Sequence, residues 1–385
     1  EYEDRHNPEQ AVIQKYGGKL VFSSGEVLFS STDLLRKDLI SKEDKRFRLP
    51  VNFMKRHDIN LENLNQTVDN FSKIKVCVIG DLIIDEFIDS EPIGMSQEEP
   101  CIVVSPNDSK RFIGGAGIVA SHASSLGADV ELISVIGNDS TSSFAKDALD
   151  LNGVRGSLIV DEFRPTTLKK RYRCNGRTLL KVSHMHQNEI PSSLHRNLIS
   201  KAKSTLSECD LLIFADFNYG CLPQCVVEEI ISFSKKEKVT MVADSQSSSQ
   251  LGDISRFHDM HLITPTEREA RTSIRNQEDG LVVLCEKLRN KTNSKNIILT
   301  LGANGILLHV EGKDKLHHTD RIPALNNAPK EVGGAGDSFL SASALALCLD
   351  ANPWEAACLG SMAAAVQVSR LGNLPLKPQD LKNFH

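Results

Sequence analysis

The sequence has 385 residues, 45 basic against 50 acidic side chains and a net charge of -5, enough chain for one large α/β domain with an appendage or for two domains. That balance argues against a protein built mainly to coat nucleic acid or an anionic membrane, while leaving room for a local basic pocket. No apolar run approaches the roughly 18 residues that span a bilayer, and nine scattered cysteines read as reduced core residues, so a soluble cytoplasmic protein without nucleic-acid or membrane partners is expected. The opening Glu1-Tyr2-Glu3-Asp4-Arg5 is unlike a signal peptide, and the missing methionine leads to the expectation that residue 1 is not the native start. Residues 1–73 stand apart in composition: short apolar pieces at 18–22 and 27–29, then a polar helical stretch from Glu43 to Phe71. An incomplete element followed by a helical linker is expected there.

From Lys75 the pattern changes. Val76-Cys77-Val78-Ile79 is a continuous apolar run ending in Gly80-Asp81, which predicts a parallel strand buried on both faces, and Asp85 follows on the next apolar segment. Further strands are predicted at 131–136, 211–214, 239–243, 261–264 and 297–301, with helical stretches between most of them. Such alternation predicts a doubly wound α/β sheet with ligands at the carboxyl ends of its strands, where Asp81, Asp216 and Asp244 stand. Segments 88–113 and 164–183 have strand character without helix and are expected to form a small second sheet that covers the site as a lid. Gly114-Gly115-Ala116-Gly117, before a helical run, fits either close backbone approach to a ligand or close helix packing.

Lys169, Lys170 and Arg171 concentrate positive charge on the expected lid, as a solvated run or as a clamp on an anionic substrate. Thr264-Pro265-Thr266-Glu267-Arg268-Glu269 begins at a strand end, where carboxylates either organise Mg²⁺ through water or simply face solvent. Cys221 and Cys225 have no second ligand pair nearby, so zinc is not expected on them. Near the end, Lys330-Glu331-Val332-Gly333-Gly334-Ala335-Gly336-Asp337 joins a glycine-rich turn to the apolar run Ser338–Leu349. Small residues let the backbone bend, and the free N–H groups of a first helical turn then point at an oxyanion, phosphate being the obvious one. Asp337 would be repelled by that phosphate unless it takes a proton from an attacking hydroxyl; the plain alternative is a helix-capping aspartate.

In order, Gly80-Asp81 with Asp85, Gly114-Gly115, Pro165-Thr166-Thr167 with Lys169, Asp216 with Gly220, Glu269, Thr300-Leu301-Gly302 with Gly305, and Gly334-Ala335-Gly336-Asp337 resemble the motif series of the ribokinase-like (PfkB) carbohydrate kinases. Within that family the chain is most similar to the branch that phosphorylates heptose 7-phosphate for ADP-heptose synthesis, especially to hybrids with a nucleotidyltransferase ahead of the kinase. Phe29-Ser30-Ser31-Thr32-Asp33-Leu34-Leu35-Arg36 resembles the Ser-Ser-Thr turn near the end of cytidylyltransferase-like enzymes, without their N-terminal histidine pair.

The resemblance implies a doubly wound, mostly parallel sheet with a small β lid over 74–385, behind a nucleotidyltransferase-like fragment and linker over 1–73. It implies ATP and Mg²⁺ as cofactors, transfer of the γ-phosphoryl group to a hydroxyl of a sugar or sugar phosphate, and a homodimer. By the same carry-over Asp337 is the base, with Gly334, Ala335 and Gly336 as the anion hole. Asp85, Gly114 and Gly115 hold the sugar, and the charge of Lys169 and Arg171, read from the residues themselves, offers a clamp on an anionic substrate. Glu269 organises the metal, and Asp244, Thr300, Gly302 and Gly305 join Gly334 and Gly336 along the nucleotide. Departures from the family pattern stand at Glu331, Gly333, Ile118, Thr266 and Tyr219. The lost side-chain hydrogen bonds are worth about 0.5–1.5 kcal/mol each, so a degenerate kinase that binds nucleotide or sugar without turnover is the competing expectation.

Overall fold

Side chains of β1 (Lys75–Gly80) alternate between two cores, Val76 and Val78 on one face and Cys77 and Ile79 on the other, all fully buried. That two-sided burial is why the run is apolar throughout, and it makes β1 the middle of the protein. The computed structural model describes residues 47–246, 252–312 and 316–384; the expected Ser30–Thr32 turn and everything before residue 47 lie outside the described residues.

Strands follow in chain order as β2 (Leu82–Met95), β3 (Ile102–Gly115), β4 (Asp129–Ile136), β5 (Arg155–Val160), β6 (Thr167–Cys174) and β7 (Arg177–His184). They continue as β8 (Leu211–Asp216), β9 (Thr240–Ser245), β10 (Leu262–Ile263), β11 (Asn296–Thr300), β12 (Ile306–Glu311) and β13 (His317–Ile322). The large sheet runs β5-β4-β1-β8-β9-β10-β11 in parallel, and β12 and β13 extend it antiparallel at one edge. Helices Ala116–Ser125, Ala335–Cys348 and Pro353–Val368 bury one face, and helices Ser192–Leu206, Gln224–Glu237 and Leu281–Thr292 bury the other. The strand runs and the doubly wound architecture expected from the sequence are therefore present, and the parallel strands bring their carboxyl ends to one edge. Among the described residues, no helix is long and apolar enough to cross a membrane.

The expected linker is a correction. Helices Val51–Arg56 and Leu61–Asp69, with the short turn Asn70–Lys73 after them, pack into the main core through Phe53, Met54, Leu64, Val68 and Phe71, and Arg46–His385 forms one compact unit, so the described part of this stretch belongs to the folded unit rather than to a linker. Leu64, Val68 and Phe71 stand at i, i+4 and i+7, one face of a helix. Trp354 stacks on His57 with ring centroids 3.9 Å apart, and Phe47 meets Phe384 at 4.9 Å, which ties this leading segment to the C-terminal helices.

A second, four-stranded sheet has the order β3-β2-β6-β7. β2 leaves the core as it runs outward, buried from Leu82 to Ile88 and exposed beyond Ser90. Its register pairs Asp85 with Lys169 and Glu86 with Lys170. Period-two alternation therefore splits the basic cluster: Lys170 faces Glu86 at 3.6 Å on one side, while Lys169 and Arg171 share the other side with Asp85.

Candidate active site

Gly334 is the hinge of the glycine turn, with φ 77°, and a Cβ there would lie 2.6 Å from Asn373 Oδ1. Only glycine fits both the left-handed backbone and that contact. The helix starts at once, its first intrahelical bond running from Ser338 N–H to the Gly334 carbonyl at 3.0 Å, so the amides of Ala335, Gly336 and Asp337 come before any helical partner. They form the backbone cradle that an oxyanion needs. Asp337 is buried, and burial pushes its carboxyl up to about 7, with the charge of Asp85 adding and the Gln246 hydrogen bond and Lys169 opposing. A carboxyl in that range can both take up and release a proton near neutral pH.

Gln246 links this group to a second carboxylate, its Nε2 donating to Asp337 Oδ1 at 2.6 Å and to Asp244 Oδ2 at 3.1 Å. Asp244 sits at the end of β9, and its carboxyl is pushed well above the ordinary carboxylate range by burial first and then by the charges of Glu269 and Asp337. Its Oδ1 is buried without a hydrogen-bond partner. Glu269 is buried too, and caps its own helix: Oε2 accepts from Thr266 N–H at 2.8 Å while Thr266 Oγ1 accepts from Glu269 N–H at 3.2 Å. Thr266 and Glu269 therefore form a reciprocal capping box at the start of helix Glu267–Ile274. Three mutually repelling buried carboxylates, one with an orphaned oxygen, suit a hard divalent cation with oxygen ligands.

On the second sheet, Arg171 Nη2 donates to Asp85 Oδ1 at 3.0 Å, and its Nη1 lies 3.5 Å from Glu331 Oε1. Asn373 Nδ2 donates to Asp85 Oδ2 at 3.5 Å, and Glu331 Oε2 accepts from Gly372 N–H at 3.2 Å. Burial pushes the Asp85 carboxyl up, against the pull of Arg171 and Lys169. The Lys169 Nζ rests 4.9 Å from the Tyr219 ring and 5.9 Å from the Phe217 ring, so the tyrosine that departs from the family pattern forms the seat of the lid lysine. Two residues that the sequence did not single out, Gln246 and Asn373, thus connect Asp337, Asp244, Gly334 and Asp85.

Gly114 faces Asp85, whose Oδ2 would be 2.6 Å from an added Cβ. Gly115 has φ 57° and packs against the Asp81 carbonyl, where a Cβ would lie at 2.3 Å, so tight packing explains it fully. Thr300 and Gly302 line a cleft of about 400 Å³ with Thr266, Arg268, Arg271 and Gln277, the arginines being contributors that the sequence reading missed. Gly305 instead backs onto β13, where a Cβ would lie 2.0 Å from the Ile322 carbonyl. Asp81 and Asp216 brace the loop after β8: Asp81 accepts from the N–H groups of Phe217, Tyr219 and Cys221, and Asp216 accepts from Ser245 and Arg256. A larger cleft of about 490 Å³, with Lys235, Lys238 and Lys295, opens at the opposite ends of the strands, away from these carboxylates.

Residues 73–379 match the pfkB family of carbohydrate kinases. The bifunctional protein HldE of Desulfatibacillum aliphaticivorans is 29% identical over 327 residues, 83% of this chain and 65% of that protein. HldE of Caulobacter sp. is 30% identical over 307 residues, 78% of this chain and 61% of that protein. The chain thus spans less than two thirds of these relatives. In fold it is similar to phosphofructokinase-2 of Escherichia coli (TM-score 0.67, 16% identity, covering 81% of this chain and 98% of that one). It is likewise similar to the ribokinase of Arabidopsis thaliana (TM-score 0.63, 17% identity, with the same coverage).

Proposed function

The chain belongs to the pfkB family of carbohydrate kinases, and from that premise we propose that it transfers the γ-phosphoryl group of ATP to a hydroxyl of a phosphorylated sugar, with heptose 7-phosphate the leading candidate. The observation that carries the reading is Asp337: a buried carboxylate raised to about 7, at the mouth of an amide cradle. In this reading Asp337 accepts the hydroxyl proton as the sugar oxygen attacks phosphorus, and the amides of Ala335 to Asp337 stabilise the charge on the transferred group. Asp85 and Asn373 orient the sugar hydroxyls beside Gly114, and Thr300 and Gly302 take the nucleotide. Asp244 and Glu269 would hold Mg²⁺, which when bound neutralises phosphate charge. Lys169 and Arg171 supply the positive charge that favours a phosphorylated acceptor over a neutral one.

ATP consumption measured against a panel of sugars and sugar phosphates tests the proposal. Turnover is expected with a phosphorylated acceptor and Mg²⁺. A second reading, binding without turnover, draws on the Arg171–Asp85 ion pair, which occupies the carboxylate meant for the sugar; ATP binding with no acceptor-dependent consumption would favour it. The far end of the second sheet exposes Ile93, Met95, Ile102, Leu179 and Leu180. Such a patch favours pairing with a second copy, so light scattering at micromolar concentration is expected to report a dimer, and a monodisperse monomer would contradict it.

A further inference from the structure

Away from the kinase site, β12 and β13 carry two histidines on one face. His309 pairs directly with Thr319, and His317 is two residues before Thr319, so the pleat turns all three toward the same side. That side faces the helix Leu281–Thr292, which contributes Glu286. Their rings and carboxylate converge: His309 Nε2 stands 3.0 Å from Glu286 Oε2, the two imidazoles stack with centroids 5.0 Å apart, and one ligand atom from each residue lies within 4.8 Å of the others. His317 Nε2 is buried and has no hydrogen-bond partner. We propose that Glu286, His309 and His317 form a binding site for a zinc-type divalent cation, a second metal site distinct from the kinase centre.

The chemistry supports a soft-to-borderline transition metal rather than Mg²⁺, since two imidazole nitrogens and one carboxylate are the donor set of three-ligand zinc sites with a water in fourth place. The outer partners suit it as well. His309 Nδ1 lies 2.9 Å from Thr319 Oγ1, an outer partner that orients the ring with Nε2 toward Glu286. A cation held by both Nε2 and Oε2 would replace the hydrogen bond that neutral His309 can make to Glu286 across this 3.0 Å gap. Arg289 grips Glu286 from the other side, its Nη2 donating to Oε1 and its Nε to Oε2, which holds the carboxylate in place but adds a competing positive charge. The three ligand atoms lie within 4.8 Å of one another, and side-chain rotation would bring them to the roughly 3.4 Å separation of ligands set tetrahedrally about 2.0–2.2 Å from zinc.

The location gives the site a purpose. His309 pairs with Ile297, three residues before Thr300, so the cation would lie toward the end of β11 opposite the Thr300 cleft and would pin the edge hairpin to the helix beneath it. The test is calorimetric titration of EDTA-stripped protein with Zn²⁺ in excess Mg²⁺, paired with thermal melts. One Zn²⁺ per chain and a raised Tm are expected in the wild type, with affinity reduced by at least about tenfold in His317→Gln and in Glu286→Gln. His317 is only partly buried, so its variant is expected to fold even if a change at buried His309 does not. Absence of stoichiometric Zn²⁺ binding, or binding equally tight in His317→Gln, overturns the proposal. Neither result depends on kinase turnover.

Discussion

Asp337→Asn is expected to reduce kcat by about 10²–10⁴, the range for losing a positioned general base, while folding and ATP binding are kept. Asparagine can still accept the Gln246 hydrogen bond through its Oδ1, so the local geometry survives. A mere capping residue would behave in the opposite way, with about 1 kcal/mol of stability at stake and no effect on turnover. The raised pKa of Asp337 adds a second arm. Its folded value of about 7 lies above the ordinary carboxylate value, so between the two the native state binds more protons than the unfolded one, and stability falls as pH rises through that window. Asparagine carries no such charge. The variant is therefore expected to melt higher than the wild type at pH 8 and at the same temperature near pH 4, and wild-type kcat/KM should climb with pH to a plateau above about 7. A wild-type rate in Asp337→Asn would remove Asp337 from catalysis.

The sequence made the sheet legible because a strand buried on both faces must be apolar throughout, as in Val76–Ile79, and because Gly334 to Asp337 carries its geometry in its composition. The helices before residue 73 were misread as a linker since their polar faces outweigh a narrow apolar stripe; the i, i+4, i+7 spacing of Leu64, Val68 and Phe71 was the available signal. Nothing local marks Gln246 or Asn373. Asn373 meets Asp85 from 288 positions away, and Gln246 meets Asp337 across 91, contacts that exist only once the strands and helices are assembled. Likewise the run Lys169-Lys170-Arg171 reads as one positive patch along the chain, and only the pleat of β6 sends Lys170 to Glu86 on the opposite face.

Arg171→Ala is expected to raise KM for a phosphorylated acceptor by roughly tenfold to a hundredfold, the equivalent of about 1.5–3 kcal/mol for a charge-assisted hydrogen bond, with KM for ATP nearly unchanged. In the structure the guanidinium is spent on Asp85 and Glu331, and a phosphate arriving beside it would compete for the same fork of donors. Two separate losses follow from its removal. The phosphate loses a bidentate partner, and Asp85, whose carboxyl burial already pushes up, loses the charge that most strongly opposes that push. The first loss touches only phosphorylated acceptors; the second weakens every acceptor that relies on an ionised Asp85. Comparing a sugar with its own phosphate separates them: a selective loss on the phosphate assigns Arg171 to the substrate, and an equal loss on both assigns it to Asp85. Arg171→Lys sharpens the distinction, because a lysine keeps the counter-charge that Asp85 needs but not the planar fork that matches a phosphate.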